Sequence, residues 1–109
     1  MTLDNRPVLT FGEQMFVRDA EARFRALARR NRMLSLWAAE KIGLKSGEAE
    51  SYIREAVNAV MVRDGEQRIL EKIASDLARV SPYWTDGRLR QVMGAFMALA
   101  IEEVRAEIV

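Results

Sequence analysis

Arg18, Arg23, Arg25, Arg29, Arg30 and Arg32 put six guanidinium groups within fifteen residues. On an ideal helix Arg18, Arg25, Arg29 and Arg32 project within about 60° of one another, because each residue turns by about 100°. Arg23 and Arg30 make a second row, joined by Lys41. A guanidinium group grips carboxylates and phosphates alike, through two parallel N–H bonds. Three uses are open for the cluster. It is a solvated helix face with Asp19 and Glu21 interleaved, a surface for an acidic protein partner, or a phosphate site in which Arg25, Arg29 and Arg32 hold ATP or ADP. The single aromatic in the tract, Phe24, falls on the core-facing stripe. The stacking side chains of a nucleic-acid surface are therefore missing, and no nucleic-acid partner is expected.

Little else in the chain offers chemistry. There is no histidine and no cysteine. That removes the commonest general base, thiol catalysis, disulfides and the commonest metal ligands. The carboxylates Glu48, Glu50, Asp64, Glu66, Glu71 and Asp76 lack the spacing of a metal loop. Asp64-Gly65 reads as a turn and helix cap, since a phosphate loop needs several glycines after a strand. The expectations are no enzyme, no metal and no cofactor, with ATP or ADP as the one small ligand left open.

These side chains must be positioned by helices. Residues 1–12 hold Pro7 and Gly12 and read as a flexible lead-in. From Glu13 to Ile42 the apolar period is helical, with Phe16, Ala20, Phe24, Leu27, Leu34, Ala38 and Ile42 on one face. Gly43 is the expected left-handed stop. Ser46 or Gly47 is expected to cap a second helix over about 47–63, whose apolar set includes Tyr52, Ile53, Ala56, Val57 and Met61. Asp64 with Gln67 three residues on reads as a capping box for a third helix over about 65–80, ended by Ser81-Pro82. Thr85 is the expected cap of a fourth helix over about 86–107, striped with Leu89, Val92, Met93, Phe96, Leu99, Ala100, Val104 and Ile108. No strand alternation competes with this pattern.

The expected fold is all-α: one domain over 13–109, a four-helix bundle with a long first helix and a flexible or overhanging N-terminal arm. The first helical pattern spans about 29 residues, roughly 43 Å, and the others roughly 22 to 33 Å. The excess, at the N-terminal end, would need a partner to lie on. Asn31 interrupts the apolar seam between Leu27 and Leu34. It is read as structural, fixing register or bonding a helix-end carbonyl, with ligand binding as the alternative. Met33 and Trp37 are expected in the core. Tyr83-Trp84 is expected to plug one end of the bundle or to form a contact surface.

Composition agrees with a small globular chain. It has 109 residues, half of them hydrophobic, and a net charge of +1. The balance hides a gradient: residues 1–45 carry nine Lys/Arg and five Asp/Glu (+4), and residues 46–109 eight and eleven (−3). No global field draws the chain to nucleic acid. The start lacks the basic-then-apolar layout of a signal peptide, and no run is long enough to span a bilayer. A cytoplasmic monomer without membrane insertion is the default expectation.

The stretch Ala28–Leu44, ARRNRMLSLWAAEKIGL, resembles the hallmark of the zeta subunit family, close to ARRN-(R/K)-LLGLWAAE-(K/R)-LGL. These are small inhibitors of the F1 motor of ATP synthase in alphaproteobacteria, together with homologues of unassigned role. The resemblance runs from Phe16 to Val104, through Asp19, Ala20, Glu21 and Phe24, then Glu48, Ala49, Tyr52 and Val57, Gly65, Lys72 and Asp76, and Asp86, Arg90, Met93 and Ala100. It implies a four-helix bundle whose N-terminal segment inserts between catalytic alpha and beta subunits near the rotor gamma subunit and blocks ATP hydrolysis. The chain would then sit peripherally at the inner membrane when bound. The contacts implied for this sequence are Phe11, Phe16, Arg18, Asp19, Arg25, Arg29 and Arg32, with Asn31, Trp37 and Gly43 as structural positions. Residues 7–13, Pro-Val-Leu-Thr-Phe-Gly-Glu, depart from the charged start of the clearest inhibitors; Val60-Met61-Val62, where the family often has Asp-Phe-Glu, and the Ser81–Trp84 loop depart from the family pattern too. A weakened inhibitor, a nucleotide-binding module and a helical adaptor for another protein remain alternatives.

Overall fold

The computed structural model describes residues 19–108. Among them are four α-helices and no strand: α1 (Ala20–Ile42), α2 (Ser46–Asn58), α3 (Gly65–Val80) and α4 (Asp86–Ile108), with one 3₁₀ turn, Ala59–Met61, after α2. Short connections fold them into the expected all-α bundle. α1 is the central element and packs on α2, α3 and α4.

The main core gathers Leu34, Ala38 and Ala39 of α1, Tyr52 and Ala56 of α2, Ile69, Ile73 and Leu77 of α3, and Leu89 of α4. Leu34, Ile73 and Leu77 are sealed from solvent, each contributing about 1.5–3 kcal/mol by burial. A second cluster, Ala22, Ala26, Ala100 and Val104, joins the start of α1 to the end of α4 and is flanked by Met33, Met97 and Ile101. α1 and α4 are each 23 residues long, so α4 accompanies α1 to its beginning. The described helix begins at Ala20, with Asp19 at its N-cap. Asp19 is extended (φ −98°, ψ 102°) and its carboxylate accepts the amides of Glu21 and Ala22 at 3.0 and 3.2 Å. That is an N-cap, and it satisfies amides that a helix start leaves unpaired. The expected lead-in at 1–12 and the helical pattern at 13–18 lie outside the described residues.

At the other end of α1, Gly43 takes the left-handed conformation (φ 81°), and the Leu44 amide reaches back to the Ala39 carbonyl at 2.9 Å. This is the expected stop, closed in the Schellman manner. α3 ends at Val80 before Pro82, and Thr85 caps α4 through its hydroxyl, which accepts the Arg88 amide at 3.3 Å. Trp84 plugs that end of the bundle. It meets Trp37 edge-on at 4.9 Å between ring centroids, and Trp37 also touches Phe96.

Other local expectations give way. α2 stops at Asn58 instead of 63, and the chain tightens into the 3₁₀ turn. Neither Ser46 nor Gly47 caps α2; Lys45 holds the cap position without a side-chain bond, and Ser46 is left-handed (φ 52°). Asp64 holds the N-cap position of α3 but is left-handed too (φ 59°) and makes no side-chain cap bond, while Gln67 bonds Glu71 at 2.9 Å instead of closing a box. The cause is Gly65. An added Cβ there would lie 2.1 Å from the Ala59 carbonyl oxygen, so the chain must turn sharply at Asp64 to bring α3 against the 3₁₀ turn. Met61 and Leu99, expected on the apolar stripes, are both at least half exposed.

Asn31 is buried at the junction of the two packed regions. Its amide donates to the Ala56 carbonyl in the last turn of α2 at 2.8 Å, and to Glu66 at 2.9 Å. The helix-end carbonyl expected from sequence is therefore its partner. Arg30, expected in a solvated row, is buried. It pairs with Glu66 and bonds the Asn31 side-chain oxygen at 3.0 Å. A second polar staple ties α2 to α3. The Tyr52 hydroxyl donates to Asp76 at 3.0 Å, and Asp76 also pairs with Arg79. Burial first, then the bond to Asp76, pushes the Tyr52 hydroxyl well above its ordinary range, so it stays a donor. No buried side-chain nitrogen or oxygen among the described residues lacks a partner.

Candidate partner-binding surface

The expected arginine row does not remain one unit. Arg25, exposed, bonds Glu21 one turn back at 3.0 Å. Arg29 is half-buried and reaches across to α4, where it forks between Glu103 at 3.4 Å and Glu107 at 2.8 Å. Arg32 is exposed, and no carboxylate among the described residues forms a salt bridge with it. Asp19 is committed to its cap. Phe11, Phe16 and Arg18 lie outside the described residues. A phosphate at Arg25 and Arg29 would have to displace Glu21, Glu103 and Glu107, which hold them through charge-assisted bonds.

What the arginines do share is a groove. Between α1 and α2 lies a depression of about 610 Å³, lined from α1 by Phe24, Arg25, Ala28, Arg29, Arg32 and Leu36. From α2 it is lined by Glu50, Ile53, Arg54, Val57 and Asn58. The floor is apolar and the rim is basic. Phe24, expected to face the core, is 43% exposed here, and Leu36 is 45% exposed. Ile53 and Val57, also expected in the core, are half-buried along the groove.

The reason lies in how α1 is packed. α4 approaches the first turns through Ala22 and Ala26, leaving the side that carries Phe24 and Ala28 uncovered. Phe24, Ala28, Arg32 and Leu36 recur every four residues and form one ridge along the helix. That repeat was the sequence signal for the groove. It was masked because Phe24 also fits the core stripe. Arg54 carried no comparable signal, as only the fold places it opposite Arg32.

Other chemistry is sparse. Among the described residues no group of three acidic side chains is placed to hold a metal ion. No described helix is long and apolar enough to cross a membrane. The surface offers shape, apolar contact and positive charge, which are the means of binding another macromolecule.

A family model described as ATPase inhibitor subunit zeta matches residues 1–103. No curated protein and no solved structure matches the chain. The matched span covers the expected arm, the capped start of α1 and nearly all of the bundle, and the chain belongs to the ATPase inhibitor subunit zeta family.

Proposed function

We propose that this chain is a regulatory inhibitor of the F1 part of ATP synthase, and that residues 1–18 act as its plug. The plug enters between catalytic alpha and beta subunits near gamma and stops ATP hydrolysis. The bundle catalyses nothing; it positions the plug. The reading is supported above all by the family match, which includes residues 1–18 together with the bundle.

The described residues suit such an anchor. Asp19 caps α1 next to residues 1–18, so the helix that follows them has a defined start. The alanine seam and the Arg29 fork hold these first turns on α4. A segment that folds onto its partner loses chain entropy on binding, and a rigid base limits that cost. Phe11, Phe16 and Arg18 are the plug's proposed contacts, and exposed Arg25 and Arg32 continue the surface onto the bundle. The working location is cytoplasmic, at the inner membrane through the bound ATP synthase.

The test is ATP hydrolysis by the source organism's purified F1, freed of its own inhibitor. It is titrated with the full chain and with a chain lacking residues 1–18, which keeps the Asp19 cap. Saturable inhibition lost on truncation is the expected result. Inhibition that survives truncation would place the block in the bundle, and no inhibition by the full chain would overturn the reading.

A further inference from the structure

We propose that the α1/α2 groove docks an acidic amphipathic helix presented by a partner protein, as a second attachment distinct from the plug. This rests on the reading of the chain as a protein-binding regulator and adds the site and chemistry by which the bundle itself would be held. The groove has the form of a helix receptor. Phe24 and Leu36 lie twelve residues apart on one ridge of α1, about 18 Å at 1.5 Å per residue, or roughly three helical turns. Ile53 and Val57 line the facing wall. An amphipathic helix fills such a trough with apolar side chains spaced i, i+4, i+7 and i+11.

The rim decides the charge of the occupant. Arg32 on the α1 side and Arg54 on the α2 side have no salt bridge among the described residues. Glu50 is the single acidic residue in the lining. An incoming helix with glutamates or aspartates flanking its apolar stripe would meet a guanidinium group on each side. A basic helix would meet repulsion from both, so the pair selects as well as attracts. The chain's own residues 1–18 fit less well, because Asp4 and Glu13 are balanced by Arg6 and Arg18.

The experiment uses the full chain, isotope-labelled for amide NMR, and two helical peptides of about sixteen residues. Both carry leucines at i, i+4, i+7 and i+11; one has glutamate flanks, the other lysine. The glutamate peptide should shift amides of residues 24–36 and 50–58, and the lysine peptide should not. Arg32→Glu with Arg54→Glu, both on exposed positions, should weaken the glutamate peptide by about tenfold or more and admit the lysine peptide, with helical content unchanged.

Absence of groove shifts up to about 1 mM peptide, or equal shifts with both peptides, would overturn the proposal. So would concentration-dependent groove shifts without peptide, which would make a second copy the occupant. A spin label on Asn5→Cys, in a chain without other cysteines, supplies the last arm. Broadening of groove signals in the free chain would make residues 1–18 the occupant. None of these readouts involves F1, so failure here leaves the inhibition reading standing, and loss of inhibition leaves the groove standing.

Discussion

The two halves of α1 are held in different ways. Its C-terminal half, Leu34 to Ala39, lies among Ile69, Ile73 and Leu77 of α3, Tyr52 and Ala56 of α2, and Leu89 of α4. Its N-terminal half meets α4 alone in the second cluster, through Ala22 and Ala26 against Ala100 and Val104. Large side chains interlock in the first case. In the second, alanines and Val104 form the seam with Met33, Met97 and Ile101 beside it, and a partly exposed ion-pair fork adds to it. Burying alanine removes far less apolar area than burying leucine or isoleucine. One helix therefore has a strong end and a weak end, with the Asn31–Arg30–Glu66 cluster between them. The weak end adjoins the proposed plug, which suits a segment that must adjust to a partner.

Breaking the strong end should cost most. Leu34→Ala leaves a cavity in a sealed site and should destabilise the fold by about 2–5 kcal/mol in denaturant unfolding. Ala26→Leu tests the other mode. The site is closed, so the added side chain must force α1 and α4 apart, at a cost of about 1–3 kcal/mol. Amide exchange should accelerate in residues 20–28 and 100–107 while residues 34–39 stay protected. Uniform acceleration would mean that the two halves unfold as one unit.

Asp19→Ala removes the cap and should cost about 1 kcal/mol, read as fraying of the first turn of α1 by amide exchange. Arg29→Gln should have the smallest effect, about 0.2–1 kcal/mol, since its partners are largely exposed. The difference from wild type should shrink in 1 M salt, where charges are screened within about 3 Å. A salt-independent loss would show that Arg29 acts through the packing of its stem instead.

The contrast between the halves also separates what the sequence by itself determined from what the tertiary structure decided. The sequence determined the helices and several of their ends. Gly43, Ser81-Pro82 and Thr85 act within a few residues, through backbone conformation and local hydrogen bonds, so their effects are legible locally. Asn31 was legible as well, because a polar residue in an apolar seam must find a partner. Tyr83-Trp84 was legible only as a plug or a contact surface; the fold sets Trp84 against Trp37 and leaves Tyr83 exposed.

The tertiary structure decided which face of each helix is covered. The expected stripe ran through Phe24 and Leu27 and passed over Ala22 and Ala26, but α4 packs on those alanines, so the phenylalanine became groove wall. Arg30 and Arg29 are neighbours in sequence, yet Glu66 draws one inside and Glu103 with Glu107 draw the other to the rim. Asp64 keeps the N-cap position without its side-chain bond, because Gly65 must pass close to Ala59. Burial and pairing depend on what comes to lie opposite a residue. For α1 those neighbours are supplied by residues tens of positions away, and no local period records which of them will arrive.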